Sequence, residues 1–289
     1  MNMNVFVTLD RGYVDPLRVM LFSLCKSNPK HSFQVYVMHS SLELEDFERI
    51  RSAVQGRACT IIDLPVAASE FAEMPCSERW PREACYRIFA AKLLPQELNR
   101  ALYLDPDLVV INDIASLYNM NLGNYFFAAA SHMFVQMELF SRYRLRLAKD
   151  SRYINSGVML FNLALLRREQ EEASVYAYIQ RNRRRLYLFD QDILNGVYHR
   201  RTKHINPLLF NLDEKYFRMY NANPYNFGRQ ISLPWVKRHS VIIHFNGKNK
   251  PWGDNYRGRF KEEFYEPFAR AIGVRVEPAG KRPKSRFND

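Results

Sequence analysis

The order of apolar and polar positions sets out most elements in the first half of the chain. Residues 3–8 lean apolar over a short run and predict a strand that starts almost at the first residue. Residues 16–27 carry Leu17, Met20, Leu21 and Leu24 at helical spacing, behind Pro16, which suits a helix's first turn. Residues 33–38 predict a second strand. Residues 43–54 place Leu44, Phe47, Ile50 and Val54 on one helical stripe, and residues 58–64 predict a third strand closed by Pro65. This strand–helix alternation opens a doubly wound, mostly parallel sheet with flanking helices.

Further along, residues 65–79 carry mixed signals and predict a loop. Residues 82–94 predict a helix stopped by Pro95, and residues 101–104 and 126–130 predict strands. A turn at Asn155 leads into a strand that ends at Asn162. Residues 163–181 read as helical and residues 190–198 as a short helix. Residues 241–245 predict a late strand and residues 256–272 a final amphipathic helix. No Gly/Ser linker, composition break or internal repeat interrupts this order. The expectation is one α/β domain over residues 1–274, less regular in its second half. A basic, Pro- and Gly-containing tail over 275–289 is expected to be mobile.

The run from Ala101 to Leu104 ends abruptly in Asp105-Pro106-Asp107. Residues two apart in an extended backbone face the same way, so the two carboxylates aim together at the end of a buried strand. They repel unless a cation lies between them, and oxygen ligands of this kind suit Mg²⁺ or Mn²⁺. Ligands of open α/β sheets bind at the carboxyl ends of strands, which points to a metal placed to hold a diphosphate. An ordinary turn also accounts for Asp-Pro-Asp, so the rest of the chain has to decide.

Four other segments hold polar residues in apolar or turn-like settings. Thr8-Leu9-Asp10-Arg11-Gly12-Tyr13 follows the first strand; Asp10 there can accept hydrogen bonds from a base or ribose, Tyr13 can stack on a base, and a helix cap explains Asp10 as well. Tyr153-Ile154-Asn155-Ser156-Gly157 has an easy reading as a turn. Asp190-Gln191-Asp192 opens a helix, and capping explains one of the three but not all. His244 ends the run Val241-Ile242-Ile243 and is followed by Gly247 and Lys250. A strand-end histidine can ligate a metal, Gly247 lets backbone approach a phosphate, and Lys250 can neutralise it.

The formal charge of +12 concentrates around Arg142–Arg146, Arg167-Arg168, Arg181–Arg185, Arg200–Lys203 and Lys281–Arg286. Any one cluster reads as a solvated helix face; together they favour anionic partners such as nucleic acid, anionic lipid or a phosphorylated substrate. Cys25, Cys59, Cys76 and Cys85 have no metal-site spacing and fit reduced thiols. No run reaches the length of a membrane span, and the first residues do not make a signal peptide, so a cytoplasmic location is expected. P-loop, dinucleotide-binding and serine-hydrolase motifs are absent. That leaves a nucleotide-dependent, metal-assisted transferase.

Taken in order, these motifs resemble glycosyltransferase family 8, retaining nucleotide-sugar enzymes of the GT-A fold that include bacterial lipopolysaccharide α-galactosyl- and α-glucosyltransferases. The resemblance spans residues 3–252 and rests on Thr8–Tyr13, Tyr86-Arg87, Leu102–Asp107, Asn155–Asn162, Asp190–Asn195 and His244–Trp252. It implies a Rossmann-like single domain that moves galactose or glucose from a UDP-sugar to a glycan or glycolipid, with Mn²⁺ (or Mg²⁺) held by Asp105, Asp107 and His244. It implies that Thr8, Asp10 and Tyr13 hold uridine, Arg87 and Asp190 the sugar with Asn155 near it, and Gly247 and Lys250 the diphosphate. Gln191 would lie beside the anomeric carbon. An amide is a poor nucleophile, so same-face attack is the expected route, with Asp190 the nominee if a covalent intermediate forms. Peripheral contact with an anionic membrane fits the charge.

The chain departs from the family pattern at Arg11, where the lipopolysaccharide galactosyltransferases have a second acid, and at Ser131-His132, where they have an aspartate facing the sugar. Two competing readings are a nucleotidyltransferase, for which the loop after the first strand is too poor in glycine, and a nucleic-acid-binding protein using Arg183–Tyr187. For the latter, the aspartate pair would repel phosphate unless metal is bound.

Overall fold

The computed structural model describes residues 1–71, 74, 82–132 and 135–278. Its strands are β1 Asn2–Thr8, β2 Ser32–His39, β3 Cys59–Pro65, β4 Arg100–Leu104, β5 Leu108–Val110, β6 Phe127–Ala130, β7 Val158–Asn162, β8 Thr202–Ile205 and β9 Ile242–His244. Seven of them form one sheet in the order β3-β2-β1-β4-β7-β6-β8. β7 alone runs against its neighbours β4 and β6; the other pairings are parallel. This is the mostly parallel, single-domain α/β architecture that the sequence predicts.

The central strands are apolar on both faces because both faces are covered. Val5 and Val7 of β1 pack with Leu17, Met20, Leu21 and Leu24 of the helix Val14–Ser27. Phe6 points the other way and meets Phe161 edge-on and Tyr103, each at 5.0 Å between ring centroids. Alternation along one strand therefore seeds two cores, as the period of two requires.

β5 and β9 leave the main sheet and form a small antiparallel ladder, in which Leu108 pairs with His244 and Val110 with Ile242. The exit falls on Asp105-Pro106-Asp107, where Pro106 has no N–H with which to continue the β4 pairing. A third core of Val109, Ile243, Phe245, Phe260, Phe264 and Tyr265 lies under this ladder.

Several predicted elements are corrected. The helix expected over 82–94 is three short pieces, Arg82–Tyr86, a 3-10 turn Arg87–Phe89 and Ala90–Leu93; the tightened turn coincides with Arg87, whose side chain reaches inward to two carboxylates. The helix expected over 163–181 breaks between Leu163–Glu169 and Glu172–Asn182, where extended Gln170 sends its amide to Ile88 O and Tyr198 Oη. The final helix is shorter than expected. It is a wide-turn segment Lys261–Tyr265 followed by Glu266–Ala271, and Pro267 supplies the cause by lacking a backbone donor. The late strand expected over 241–245 is present as Ile242–His244, in the small ladder.

Helices Val135–Leu145, Glu214–Ala222 and Leu233–His239, and strands β5 and β8, go unpredicted. Cys76, residues 72, 73 and 75–79 of the predicted loop over 65–79, and the basic tail beyond 278 lie outside the described residues. Among the described residues no helix is long and apolar enough to cross a membrane.

Candidate active site

Three ligand atoms converge where the two sheets meet. Asp105, Asp107 and His244 each offer one atom within 4.8 Å of the others. Backbone pairing causes this. Asp105 N–H donates to Gly157 O at 2.8 Å, which ties the end of β4 to the start of β7. Phe245 N–H donates to Asp107 O at 2.9 Å, which holds β9 beside the second aspartate. His244 Nε2 lies 3.1 Å from Asp107 Oδ1 and 3.7 Å from Asp105 Oδ2.

The cations around this cluster settle its charge. Lys250 Nζ bonds to Asp107 Oδ2 and, at 3.2 Å, to Phe245 O. Burial pushes the Asp107 carboxyl up, but His244 and then Lys250 outweigh it and hold the group well below the usual carboxylate range. Burial disfavours the His244 imidazolium, yet Asp107 and then Asp105 raise its pKa on balance. Lys250 is likewise raised: burial opposes its charge and Asp107 more than compensates.

On the other side, Arg87 Nη1 lies 3.0 Å from Asp105 Oδ1 and donates to Ser156 O at 3.1 Å, with its guanidinium over the Tyr103 ring at 4.3 Å. Its Nε is 3.4 Å from Asp190 Oδ2 but makes no hydrogen bond. Tyr103 Oη donates to Asp105 Oδ1 at 2.5 Å, so the Thr8 hydroxyl, 3.1 Å away, is left to donate to Tyr103.

A divalent cation fits this arrangement. The donor set is two carboxylates and an imidazole, which suits Mn²⁺ or Mg²⁺ with added oxygen ligands. The space beside it is kept by Gly157, where a Cβ would lie 2.3 Å from His244 Cε1 and 2.5 Å from Asp105 Oδ2.

The cluster opens into a cleft of about 280 Å³. Thr8, Asp10, Tyr13, Arg87, Asn155 and Gln191 line it together with Asp105, Asp107, His244, Gly247 and Lys250. Asp10 is both cap and cleft residue: its Oδ1 accepts from Gly12 N–H at 2.8 Å at the start of the turn Arg11–Tyr13. Tyr13 meets Trp252 edge-on at 5.8 Å, leaving an aromatic ring on the wall. Gly247 has φ +97°, a conformation that suits glycine.

Asp190 is not on the cleft wall. It lies beside Arg87 and accepts from Ser156 Oγ at 3.1 Å, and burial above all raises its pKa. Asp192 explains the capping share of that segment: it accepts from Tyr187 N–H at 2.6 Å and Leu188 N–H at 2.9 Å and is clamped by Arg144 at 2.7 Å through both oxygens. Gln191 Oε1 accepts from Asn155 Nδ2 at 3.2 Å and Ser156 N–H at 3.1 Å.

Sequence reasoning missed Tyr103, Glu83, Ser156, Asn211 and Asn246. Tyr103 had a signal, since it shares the parity of Asp105 and Asp107 along one extended run. Glu83, Ser156 and Asn246 also line the cleft; Glu83 had no signal, whereas Ser156 and Asn246 stand inside the segments singled out around Asn155 and His244. A second cleft of about 390 Å³ adjoins the first through Asn155, Gln191, Asn246 and Gly247, and is lined further by His132, Tyr153, Leu188, Asp213, Lys215, Tyr216 and Met219.

This fold is GT-A: the galactosyltransferase LgtC, solved as an active-site mutant, superposes with TM-score 0.80 at 20% identity, over 93% of this chain and 96% of that one. In sequence, the model for glycosyl transferase family 8 matches residues 4–256, and the chain belongs to that family. Among its relatives, a putative glycosyltransferase of Haemophilus influenzae is 25% identical over 86% of this chain and 73% of its own length. A lipopolysaccharide 1,2-glucosyltransferase of Escherichia coli K12 is 22% identical over 86% and 72%. LgtC has also been solved with donor and acceptor sugar analogues, at TM-score 0.77 and 20% identity, over 94% of this chain and 95% of that one.

Proposed function

We propose that this glycosyltransferase moves galactose or glucose from a UDP-sugar to a glycan or glycolipid, with Mn²⁺ and with retention at the anomeric carbon. The observation that carries the reading is the convergence of Asp105, Asp107 and His244 beside Lys250, in a cleft also lined by Asp10 and Tyr13. A cation held by those three residues would stabilise the charge that builds on the departing diphosphate. Lys250 and the turn at Gly247 add a fixed positive charge and an open backbone on the same side. Tyr13 offers a ring for a base, and Asp10 an acceptor for a ribose hydroxyl.

Same-face attack is the favoured route. Gln191 has its carbonyl oxygen engaged by Asn155 and Ser156, and Asp190 is engaged by Ser156 and paired with Arg87. Neither side chain presents a free nucleophile to the cleft. Asp190 then serves to hold Arg87. A glycosyl adduct trapped on Asp190 would overturn this route. The second cleft, with its aromatic and apolar lining next to Gln191, suits a saccharide acceptor.

We assign the membrane contact to a face where Leu139, Phe140, Tyr143, Tyr187 and Leu188 are exposed among Arg142, Arg146, Lys149 and Arg185. Apolar side chains ringed by cations suit an anionic bilayer. Leu188 also borders the second cleft, which would bring a lipid-linked acceptor to the site.

Purified protein offered a panel of nucleotide sugars without acceptor tests the reading. Slow UDP release from one UDP-hexose, dependent on Mn²⁺ and lost in Asp107→Asn, is expected. No release from any donor, together with no Mn²⁺-dependent UDP binding by calorimetry, would overturn it.

A further inference from the structure

We infer that Asn211 is a positioning residue with two separable tasks: it fixes which nitrogen of His244 faces the cation site, and it orients the Asn155–Gln191 pair. The inference rests on the reading of Asp105, Asp107 and His244 as a cation site.

Asn211 is fully buried. It ends the helical turn Pro207–Phe210 and is held beside β9 by backbone bonds, with Leu212 N–H donating to Ile242 O at 3.1 Å and His244 N–H to Leu212 O at 2.9 Å. Its amide touches two side chains. Nδ2 lies 2.9 Å from Asn155 Oδ1, and Oδ1 lies 2.8 Å from His244 Nδ1.

The polarity of this chain of bonds is forced from one end. A backbone N–H can only donate. Gly157 N–H points at the Asn155 side chain at 3.0 Å, so the atom it meets is the carbonyl oxygen. That oxygen can accept again but cannot donate, so the Asn211 atom facing it is the NH₂. The other Asn211 atom is then the carbonyl oxygen, an acceptor, and His244 Nδ1 must carry a proton to meet it. In the neutral ring, Nε2 is therefore left with its lone pair toward Asp105 and Asp107, as a metal ligand requires.

The same logic reaches Gln191. With Asn155 Oδ1 committed to Gly157 and Asn211, Asn155 Nδ2 turns to Gln191 Oε1, and Ser156 N–H independently fixes the same oxygen. One amide thus joins the cation site to the residue beside which the sugar would lie.

Asn211→Asp and Asn211→Leu separate the tasks. Aspartate still accepts from His244 Nδ1 but places a second acceptor against Asn155 Oδ1. Mn²⁺ affinity by calorimetry should stay within about threefold of wild type while turnover falls. Leucine removes both bonds, and Mn²⁺ affinity should fall roughly 10- to 100-fold, the range for groups that orient a ligand. Equal losses of Mn²⁺ affinity in the two folded variants, or none in either, would overturn the inference.

Should the leucine variant fail to fold, wild-type protein labelled with ¹⁵N-histidine and loaded with Zn²⁺ decides. A proton on Nδ1 of His244 is expected, and a proton on Nε2 refutes the assignment. A wild-type chain that binds no Mn²⁺ would instead remove the cation-site reading itself.

Discussion

Gly157 faces His244 so closely that a methyl group on its Cα would lie 2.3 Å from the imidazole Cε1. The glycine immediately precedes β7, and the histidine closes β9, so a side chain on the glycine would push the two sheets apart here. Gly157→Ala should displace His244 and Asp105 together. Its stability cost should be about 1–3 kcal/mol, as for other overpacked positions. Mn²⁺ affinity should drop by roughly 10-fold or more, as for displaced ligand-orienting groups. Calorimetry beside a thermal melt separates the two effects; unchanged Mn²⁺ affinity would show that the three residues do not act as one site.

Arg87 neutralises Asp105 and Asp190 from a buried position. Replacing it with methionine keeps much of the volume and strands both carboxylates. The expected loss is about 3–5 kcal/mol, the cost of breaking a buried ion pair from one side. Urea unfolding measures it. A loss below about 1 kcal/mol, the scale of an exposed pair, would mean that water already reaches these groups.

Metal binding should depend on pH in a defined direction. Asp107, together with Asp105, keeps His244 protonated to higher pH than a free imidazole, despite burial. Binding through Nε2 must expel that proton, so Mn²⁺ affinity should rise with pH, by about tenfold per unit until His244 is deprotonated in the free protein. Affinity measured across pH 5.5–8.5 (a range of about three units around the imidazole's ordinary value) gives the slope. A flat profile would exclude His244 as a ligand.

The exposed Tyr143 and its basic surroundings carry the membrane assignment. Sedimentation with vesicles containing phosphatidylglycerol should pull down the protein at low salt and release it as salt rises, since the Debye length falls to about 3 Å at 1 M. Tyr143→Ser with Arg146→Ser should weaken binding without altering Mn²⁺ affinity. Equal binding to neutral vesicles would refute the electrostatic part.

Where a strand or helix repeats its period for several turns, the sequence predicted it: β1 to β3 and the helices Val14–Ser27 and Leu44–Ala53 fall within a few residues of expectation. The elements that went unread are short or leave their apolar residues only partly buried. Glu214–Ala222 buries no residue fully, and β5 has only three residues. Within the candidate site, charged residues at strand ends announced themselves, whereas Asn211 did not. Its importance comes from what lies 2.8 and 2.9 Å away, contributed by residues distant in sequence. Asp190 shows the converse: its position at a helix start was legible, its engagement by Arg87 and Ser156 was not.

The small ladder of β5 and β9 joins Asp107 to a histidine 137 residues later. During synthesis at about 5–20 residues per second, the carboxylates therefore wait on the order of ten seconds for their third partner. Until β9 docks, Asp105 and Asp107 lack His244 and Lys250, and any cation they attract is held by exposed carboxylates alone. The cation site proposed for these three residues is thus completed late in the making of the chain, when nearly all of the sheet is already in place.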